Sequence, residues 1–599
     1  MHAHSKIAGL LLLSFLIAPF LLGQNGPVLE LDFEGEVIGA QFNWQTKKLD
    51  FTQGIRGQAI QLRPEKAYPD LKLSGLNLDG SKDFSVSFWI KTTSAKSMVF
   101  LSQKSFGNKS ISTQKHPGWV LYSSGGSMAW SIGSGERRIN YERDNGNTMP
   151  LHDGEWHQLV MTYKQELREV RLYYDGFNVA VYKVNFDFSN EEILSIGSKT
   201  DRYNSGEFAG EIEQGKKELQ SLLDAFNALG LEPLKKEEFM DLIVEPERLY
   251  EKKLAKRAGP QAHGNDPLAA VKRIRKDLLT NPYTVHQNRA LTELKPISQI
   301  YQLEGSKIEI RESEGKAFTQ KEQLYAADFS MDNLQIWDRP IDEKEILEFY
   351  KKFRKKKVKK LPKKQKELTI GVWNIWHGGI HWTEEKDTWD SRKRIVEMIR
   401  EKEIDVLLMQ ETYSSGDFIA AELGYHFATT SDWDYRYQGS NISVLSRFPI
   451  KELQVSEKTE FNNVATRLAI SRTQEIWAMS NWYGMAQFAD VFSFHEESFE
   501  NSDNIPVFFG GDFNAVPHTD GGDSPASLKL SEAGFTEAFR NMYPDVAAYP
   551  GYTHRSGTRI DQLYYKGAAL KNTHTEVISS WPSGFPSDHY LIVSTFKLN

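Results

Sequence analysis

The sequence predicts a multidomain chain: an all-β sandwich interrupted by a helical insertion, followed by an α/β domain. Three observations carry this. From about Val28 to Ser198, short alternating apolar and polar runs are separated by Gly, Asp and Asn turns, the period-2 pattern of half-buried strands. Between about Gly206 and Thr319 apolar residues recur at helical spacing instead, as in 215–231 and 266–279. From Leu368 onward, apolar runs bounded by glycine and polar residues alternate with amphipathic stretches, the texture of an α/β sheet. A chain of 599 residues is too long for one core and suggests about three units.

Residues 1–23 read as an export signal. His4 and Lys6 give a weakly positive start, Ile7 to Leu22 is apolar, and small or turn-forming residues follow at Gly23–Gly26. The run is shorter than the ~20 residues a spanning helix prefers, so cleavage near Gly23/Gln24 is expected, with an uncleaved anchor as the alternative. Either places the rest of the chain outside the cytoplasm, as a secreted, periplasmic or cell-surface protein. In the sandwich, Phe84–Lys91, Gln158–Tyr163 and Val170–Tyr174 alternate so as to bury one face and wet the other, and Asp175-Gly176 is a hairpin turn. Lys351 to Glu367 is a basic run broken by Phe353, Val358 and Leu361-Pro362. It reads as a solvated linker after a helix at 342–350, or as an electrostatic handle for phosphate-rich polymers.

In the C-terminal domain, strands are expected at Leu368–Trp373, Asp405–Met409, Ile442–Leu445, Ile505–Phe509 and Leu591–Phe596, with a helix at Ser391–Lys402. Composition narrows the chemistry. A hydrophobic content of 40% supports packed cores, and a net charge of -7 weighs against a dedicated nucleic-acid scaffold without excluding a nuclease. Cysteine is absent, which removes thiol catalysis, thiolate metal sites and disulfides. Only oxygen and nitrogen ligands remain, favouring hard cations such as Mg²⁺, Ca²⁺ or Mn²⁺.

The segments DFSVSFWIKT (83–92), DGEWHQLVMTY (153–163) and VRLYYDG (170–176) resemble the laminin-G/concanavalin-A-like jelly roll, and MDNLQIWDRPIDEKEI (331–346) resembles its closing strand and helix. The resemblance implies a jelly roll over 28–205, closed by 320–350, with 206–319 inserted and carrying no readable motif. A glycan or cell-surface ligand is one reading of such a domain; a spacer or adhesion module is the other. The fold is compatible with Ca²⁺, but no residue pattern supports an ion there. Trp156 and His157 read as residues that pack or close a strand.

Polar, metal-capable residues stand beside the expected C-terminal strand ends: Asn374, Glu411, Asp512, Asn514 and Asp588-His589. Taken singly, each fits a turn or a helix-end charge. Five motifs in order do not: WNIW (373–376), MQET (409–412), GGDFN (510–514), RIDQLYY (559–565) and SDHY (587–590). Together they resemble the endonuclease/exonuclease/phosphatase, or DNase I-like, family over 368–599. The resemblance implies an α/β four-layer sandwich and a Mg²⁺-dependent phosphoesterase, with Mn²⁺ as the alternative ion. It makes Glu411 the principal metal carboxylate, with Asn374 and Asp588 near the ion. Asp512 would activate water, Asn514 would donate to a phosphate oxygen, and His589, oriented by Asp561, would support the developing charge. Substrates of relatives include nucleic acid, phospholipid headgroups and inositol phosphates.

The sequence departs from the family at one place. Most nuclease and sphingomyelinase members carry Asn-x-His before GGDFN; here Asn481-Trp482-Tyr483-Gly484 stands instead. Either this is an Asn-x-Tyr variant, with the Tyr483 phenol contacting phosphate, or the histidine is deleted, which the short gap to GGDFN favours. His377, His381 and His495 are spare candidates; His377 borders the cleft, and the other two read as surface residues. The alternative function is a glycan-binding or adhesion protein with a degenerate phosphoesterase domain.

Overall fold

The computed structural model describes residues 26–34, 49–64, 71–73, 75–104, 116–135, 137–142, 148–197, 301–304, 307–310, 327–355, 361–379, 391–412, 415–429, 442–459, 461–483 and 487–598. The expected export signal, most of the insertion, His381 and Gly484 lie outside the described residues.

The N-terminal domain is a jelly-roll-like sandwich of two antiparallel sheets. One runs in the order Asp50–Gln53, Gln58–Leu62, Phe329–Trp337, Phe84–Lys91, His157–Lys164, Glu169–Tyr174 and Phe177–Lys183. The facing sheet holds Leu71–Leu73, Leu194–Ile196, Met98–Lys104, Gly118–Ser124, Ser127–Gly133 and Arg138–Glu142. Phe88, Phe100, Trp119, Trp130 and Leu159 fill the space between them. The closing strand Phe329–Trp337 pairs with Gln58–Leu62 on one side and Phe84–Lys91 on the other, so the two ends of the domain meet inside one sheet. Asp175 and Gly176 take positive φ values of 49° and 72°, as a tight hairpin turn that follows strand twist requires.

Three expectations change, and one gains detail. The sheets are not wet on one face: Met98–Lys104 and Gly118–Ser124 are buried throughout, because Val99, Val120, Tyr122 and Ala129 form a second apolar cluster. Trp89, Trp156 and Tyr350 form another, under the helix Glu343–Phe353. That helix, started by an Asp342/Glu345 capping box, runs past the expected end at 350 and takes Lys351 and Lys352 out of the linker. The described part of the helical insertion is a β-hairpin, Tyr301–Glu304 paired with Lys307–Ile310, where Tyr-Gln-Leu-Glu and Lys-Ile-Glu-Ile alternate as strands do. His157 is clamped between Asp175 and Asp153, each 3.0 Å from a ring nitrogen, which ties a loop to a hairpin.

The C-terminal domain stacks two sheets. One contains His426–Thr429, Ile442–Ser446, Val406–Gln410, Glu367–Asn374, Leu591–Leu598 and Leu570–Ile578. The other contains Ile450–Gln454, Asn463–Ala469, Glu475–Trp482, Val507–Asp512, Asp561–Lys566 and Thr536–Glu537. Strand alternation divides the labour. Ile370, Val372, Val406 and Leu408 join Phe508, Leu563 and Ile592 between the sheets, whereas Trp373, Leu407 and Met409 join helix residues Ile395, Ile399 and Phe418 on the outer side. Phe488, Val491 and Leu530 cover Met479 and Phe509 of the second sheet, which completes four layers. Gly511 is obligatory: its φ is 153°, and a Cβ there would lie 1.9 Å from the Asn481 carbonyl oxygen.

The two domains share a sheet. Phe177–Lys183 pairs in parallel with His426–Thr429, placing Ala180 opposite Phe427 and Tyr182 opposite Thr429. Arg171 reinforces the seam by donating to the carbonyls of Ile450 and Lys451. His426 sits inside it, its Nδ1–H donating to the Asn178 carbonyl at 2.7 Å and its ring stacked 4.5 Å from that of Phe177. Burial pushes the His426 pKa down to about 4, with Arg171 and Lys451 adding to the depression and the Asn178 hydrogen bond opposing it. The seam is therefore strongest above the unfolded pKa of about 6.5 and weakens as pH falls toward 4, by up to about 3 kcal/mol. Thermal unfolding of wild type and His426→Gln between pH 7.5 and 4 should show a smaller acid-side loss in the variant, whose amide keeps the donor and cannot titrate; equal slopes refute this.

Candidate active site

Residues from both C-terminal sheets meet at one end of the sandwich. Asn374 ends its strand, Glu411 follows Val406–Gln410, Asp512 ends Val507–Asp512, Asp561 begins its strand, and His589 precedes Leu591–Leu598. Parallel and antiparallel strands thus deliver opposite termini to the same edge. The backbone is bent to do so. Trp376, Glu411 and Asn514 have positive φ values of 50°, 55° and 50°, a conformation that side chains other than those of glycine rarely adopt. Such positions cost on the order of 1–3 kcal/mol and persist where surrounding contacts impose them.

Asn374 is the hub. Its side-chain nitrogen donates to Glu411 Oε1 at 3.0 Å and to Asp512 Oδ2 at 3.1 Å, while its oxygen accepts from the Trp376 N–H at 3.0 Å. The resemblance puts Asn374 near the cation or its waters; its nitrogen side clamps the two carboxylates that would share that site. Asp512 also accepts from the backbone and side-chain amides of Asn514, which is itself exposed. His589 Nδ1 lies 2.9 Å from Asp561 Oδ2, and Nε2 is 4.0 Å from Asp512 Oδ2. The expected pairing of His589 with Asp561 is therefore made.

Electrostatics assign protons. Burial pushes the Asp512 carboxyl up to about 7, with Asp561 and Glu411 adding to the rise and His589 opposing it. Burial would lower His589, but the carboxylates of Asp561, Asp512 and Asp588 overcome it and hold the ring protonated up to about 10. Asp588 is also buried, which opposes ionisation, yet His554, His589 and Arg555 keep its carboxyl below the ordinary range.

Among the described residues, two groups of donor atoms lie close enough together for a cation, His554/Asp588/His589 and Asp512/Asp561/His589. Both use His589, whose protonated ring repels cations. Oxygen donors away from that ring suit one better: Glu411 and Asp512 share the Asn374 amide, and on the other side of His589 the Asp588 Oδ1 is buried with no hydrogen-bond partner. That donor set fits a hard divalent ion.

Asn481 and Tyr483 stand elsewhere. Asn481 accepts from Asn463 and from the Tyr483 hydroxyl and donates to the carbonyls of Met479 and Gly510, so its hydrogen-bonding capacity is used within the scaffold. Tyr483 is 1% exposed, packed against Phe488 and Phe513, and burial lifts its pKa well above that of an ordinary phenol. The expectation that this phenol contacts phosphate is corrected: an aromatic cluster encloses it. His495, expected on the surface, is buried behind the same network. Its Nε2–H donates to Asn463 Oδ1, and burial pushes its pKa down to about 3. The His377 side chain is outside the described set.

Sequence reasoning missed the loop before RIDQLYY. His554 lies 4.6 Å, ring centre to ring centre, from His589, and Arg555 sits 4.8 Å above the Trp376 ring. The signal available was a His-Arg pair five residues before Arg559. Also unassigned was the role of Arg559. With Arg540 it grips Asp520 beyond GGDFN, and it reaches Glu537 at 3.0 Å, bracing two site loops through a buried network.

Comparison with known families agrees with this geometry. Residues 371–589 match the endonuclease/exonuclease/phosphatase family. The C-terminal domain is of that family. Residues 65–215 match the concanavalin A-like lectin/glucanases superfamily. An uncharacterized Caenorhabditis elegans protein, F14F9.5, is 27% identical over 133 residues, 16% of this chain, which spans only 42% of that protein. Among solved structures, truncated C. elegans TDP2 is 17% identical with a TM-score of 0.30, covering 39% of this chain and 97% of its own. The human Nocturnin catalytic domain with bound sulfate is 19% identical with a TM-score of 0.32, covering 39% and 95%.

Removing the Asp561 charge unties the His589 proton. Asp561→Asn should lower kcat/KM about 10²–10³-fold and move the alkaline limb of the pH–rate profile below 10; a limb that stays in place disproves the pairing's role. Arg559→Met leaves Glu537 Oε1 buried without a cation and Asp520 with Arg540 alone, and should cost about 3 kcal/mol in denaturant unfolding of the full chain. A loss below about 1 kcal/mol shows that the network is dispensable.

Proposed function

We propose that the chain is a secreted or periplasmic Mg²⁺-dependent phosphoesterase that hydrolyses a phosphodiester or phosphomonoester, with the jelly roll holding it to a surface or glycan. The observation that carries this is the Asn374 bridge: one amide places Glu411 and Asp512 together, beside a His589 held protonated by Asp561.

Glu411, with Asp588, would hold a divalent cation, Mg²⁺ or alternatively Mn²⁺, which when bound polarises a phosphate oxygen. Asp512, with a pKa near neutrality, is suited to accept the proton of an attacking water. Asn514, exposed and fixed by the Asp512 side chain, offers an amide to a phosphate oxygen. His589 supplies an N–H from Nε2 to the charge that develops on the phosphoryl group. Activity should therefore rise as pH climbs through the Asp512 range, which a cation shifts downward, and fall as His589 loses its proton near 10.

A second reading, a binding protein with a weakened phosphoesterase domain, is favoured by the burial of Tyr483 and the use of Asn481 within the scaffold, which leave that strand without a group for the departing oxygen. Full-length protein with bis(p-nitrophenyl) phosphate separates the two. Turnover should vanish in EDTA, return with Mg²⁺, and fall at least about 10³-fold in Glu411→Ala/Asp512→Ala. Wild-type turnover no greater than that of the double variant eliminates the enzymatic reading.

A further inference from the structure

The loop between Thr553 and Thr558 is locked to the SDHY segment along its backbone. The Tyr590 N–H donates to the Thr553 carbonyl at 2.6 Å, the Arg555 N–H to the Asp588 carbonyl at 3.0 Å, and His554 bridges His589. This fixes Arg555 at the mouth of the site. Its guanidinium lies 4.8 Å from the Trp376 ring centre and 3.5 Å from Asp588 Oδ2, yet the side chain remains 39% exposed. Trp376 is itself held from below by Asn374. An indole and a carboxylate thus orient a cation that no step of the proposed hydrolysis uses.

The surrounding charge says what such a cation is for. Glu411, Asp512, Asp561 and Asp588 make the cleft strongly anionic, and a divalent ion would serve the phosphate being cleaved. A second phosphate arriving beside it would meet repulsion unless it had its own counter-charge. Arg555 has more N–H donors than one oxygen at 3.5 Å can occupy, and its planar fork suits phosphate. Tyr552 and Tyr549, on the same stretch, are 50% and 52% exposed and offer ring faces on which bases can stack. A lipid headgroup with a single phosphate would use neither feature.

Building on the phosphoesterase reading, we infer that Arg555, seated on Trp376, receives the phosphate next to the scissile one in a single-stranded nucleic acid. Arg555 is a specificity-determining residue for that substrate class.

The test uses full-length protein in the turnover-deficient Asp512→Ala background with Mg²⁺ present. Fluorescein-labelled single-stranded DNA is titrated at several salt concentrations and followed by anisotropy. Adding Arg555→Ala should weaken binding about tenfold and reduce the slope of log affinity against log salt by about one. Arg555→Lys should keep the slope and recover part of the affinity, because it keeps the charge and loses the planar stack. The inference is overturned if the DNA does not bind, if Arg555→Ala changes neither affinity nor slope, or if sphingomyelin vesicles bind with the same dependence on Arg555. Arg555-dependent DNA binding without metal-dependent turnover of bis(p-nitrophenyl) phosphate would sink the phosphoesterase reading while keeping Arg555 as a phosphate contact of a single-stranded nucleic acid.

Discussion

The C-terminal domain depends on keeping several carboxylates apart from water and close to each other. Asn374 makes that possible at its centre. One amide donates to Glu411, from the sheet it belongs to, and to Asp512, from the sheet opposite. Without such a donor, two carboxylates at this spacing would repel each other or take up protons. The rest of the arrangement follows from the same constraint. His589 contributes a positive charge fixed by Asp561, the backbone bends at Glu411 and Asn514 to aim side chains inward, and Arg559 and Arg540 neutralise Asp520 one layer further out.

Much of this was legible in the sequence because strand ends and polar motifs coincide. Glu411, Asp512, Asn514, Asp561 and His589 each lie beside an apolar run of strand type, and a linear pattern of that kind translates directly into shared position at a sheet edge. Side-chain direction did not translate. Which atom of Asn374 faces the carboxylates depends on the Trp376 N–H, a contact set by a positive φ that no motif encodes. Tyr483 misled for a similar reason: its spacing from Asn481 matches a phosphate-contacting variant, but Phe488 and Phe513 come from other segments and close around it. His554 and Arg555 escaped notice because a loop carries no periodicity and their partners lie more than thirty residues downstream or far upstream.

The jelly roll illustrates the same limit at larger scale. Its strands and the Asp175-Gly176 turn could be read from alternation and turn chemistry. The coverage of its outer faces could not, since the helix Glu343–Phe353 reaches Trp89 from across the closing strand. Nor did composition hint that Phe177–Lys183 continues into the next domain. An edge strand is an unfinished ladder, and what completes it is decided by the neighbour that arrives, here His426–Thr429.

That shared ladder has a mechanical consequence. Domains joined only by a tether explore many mutual orientations, so a surface-bound module raises the local concentration of its partner without setting its direction. A continuous sheet transmits orientation as well as proximity. A ligand gripped by the jelly roll would fix the angle from which the cleft approaches, and cleavable groups within reach of the chain but outside that angle would be spared. Geometry at the seam, as much as pocket chemistry, would then choose the target.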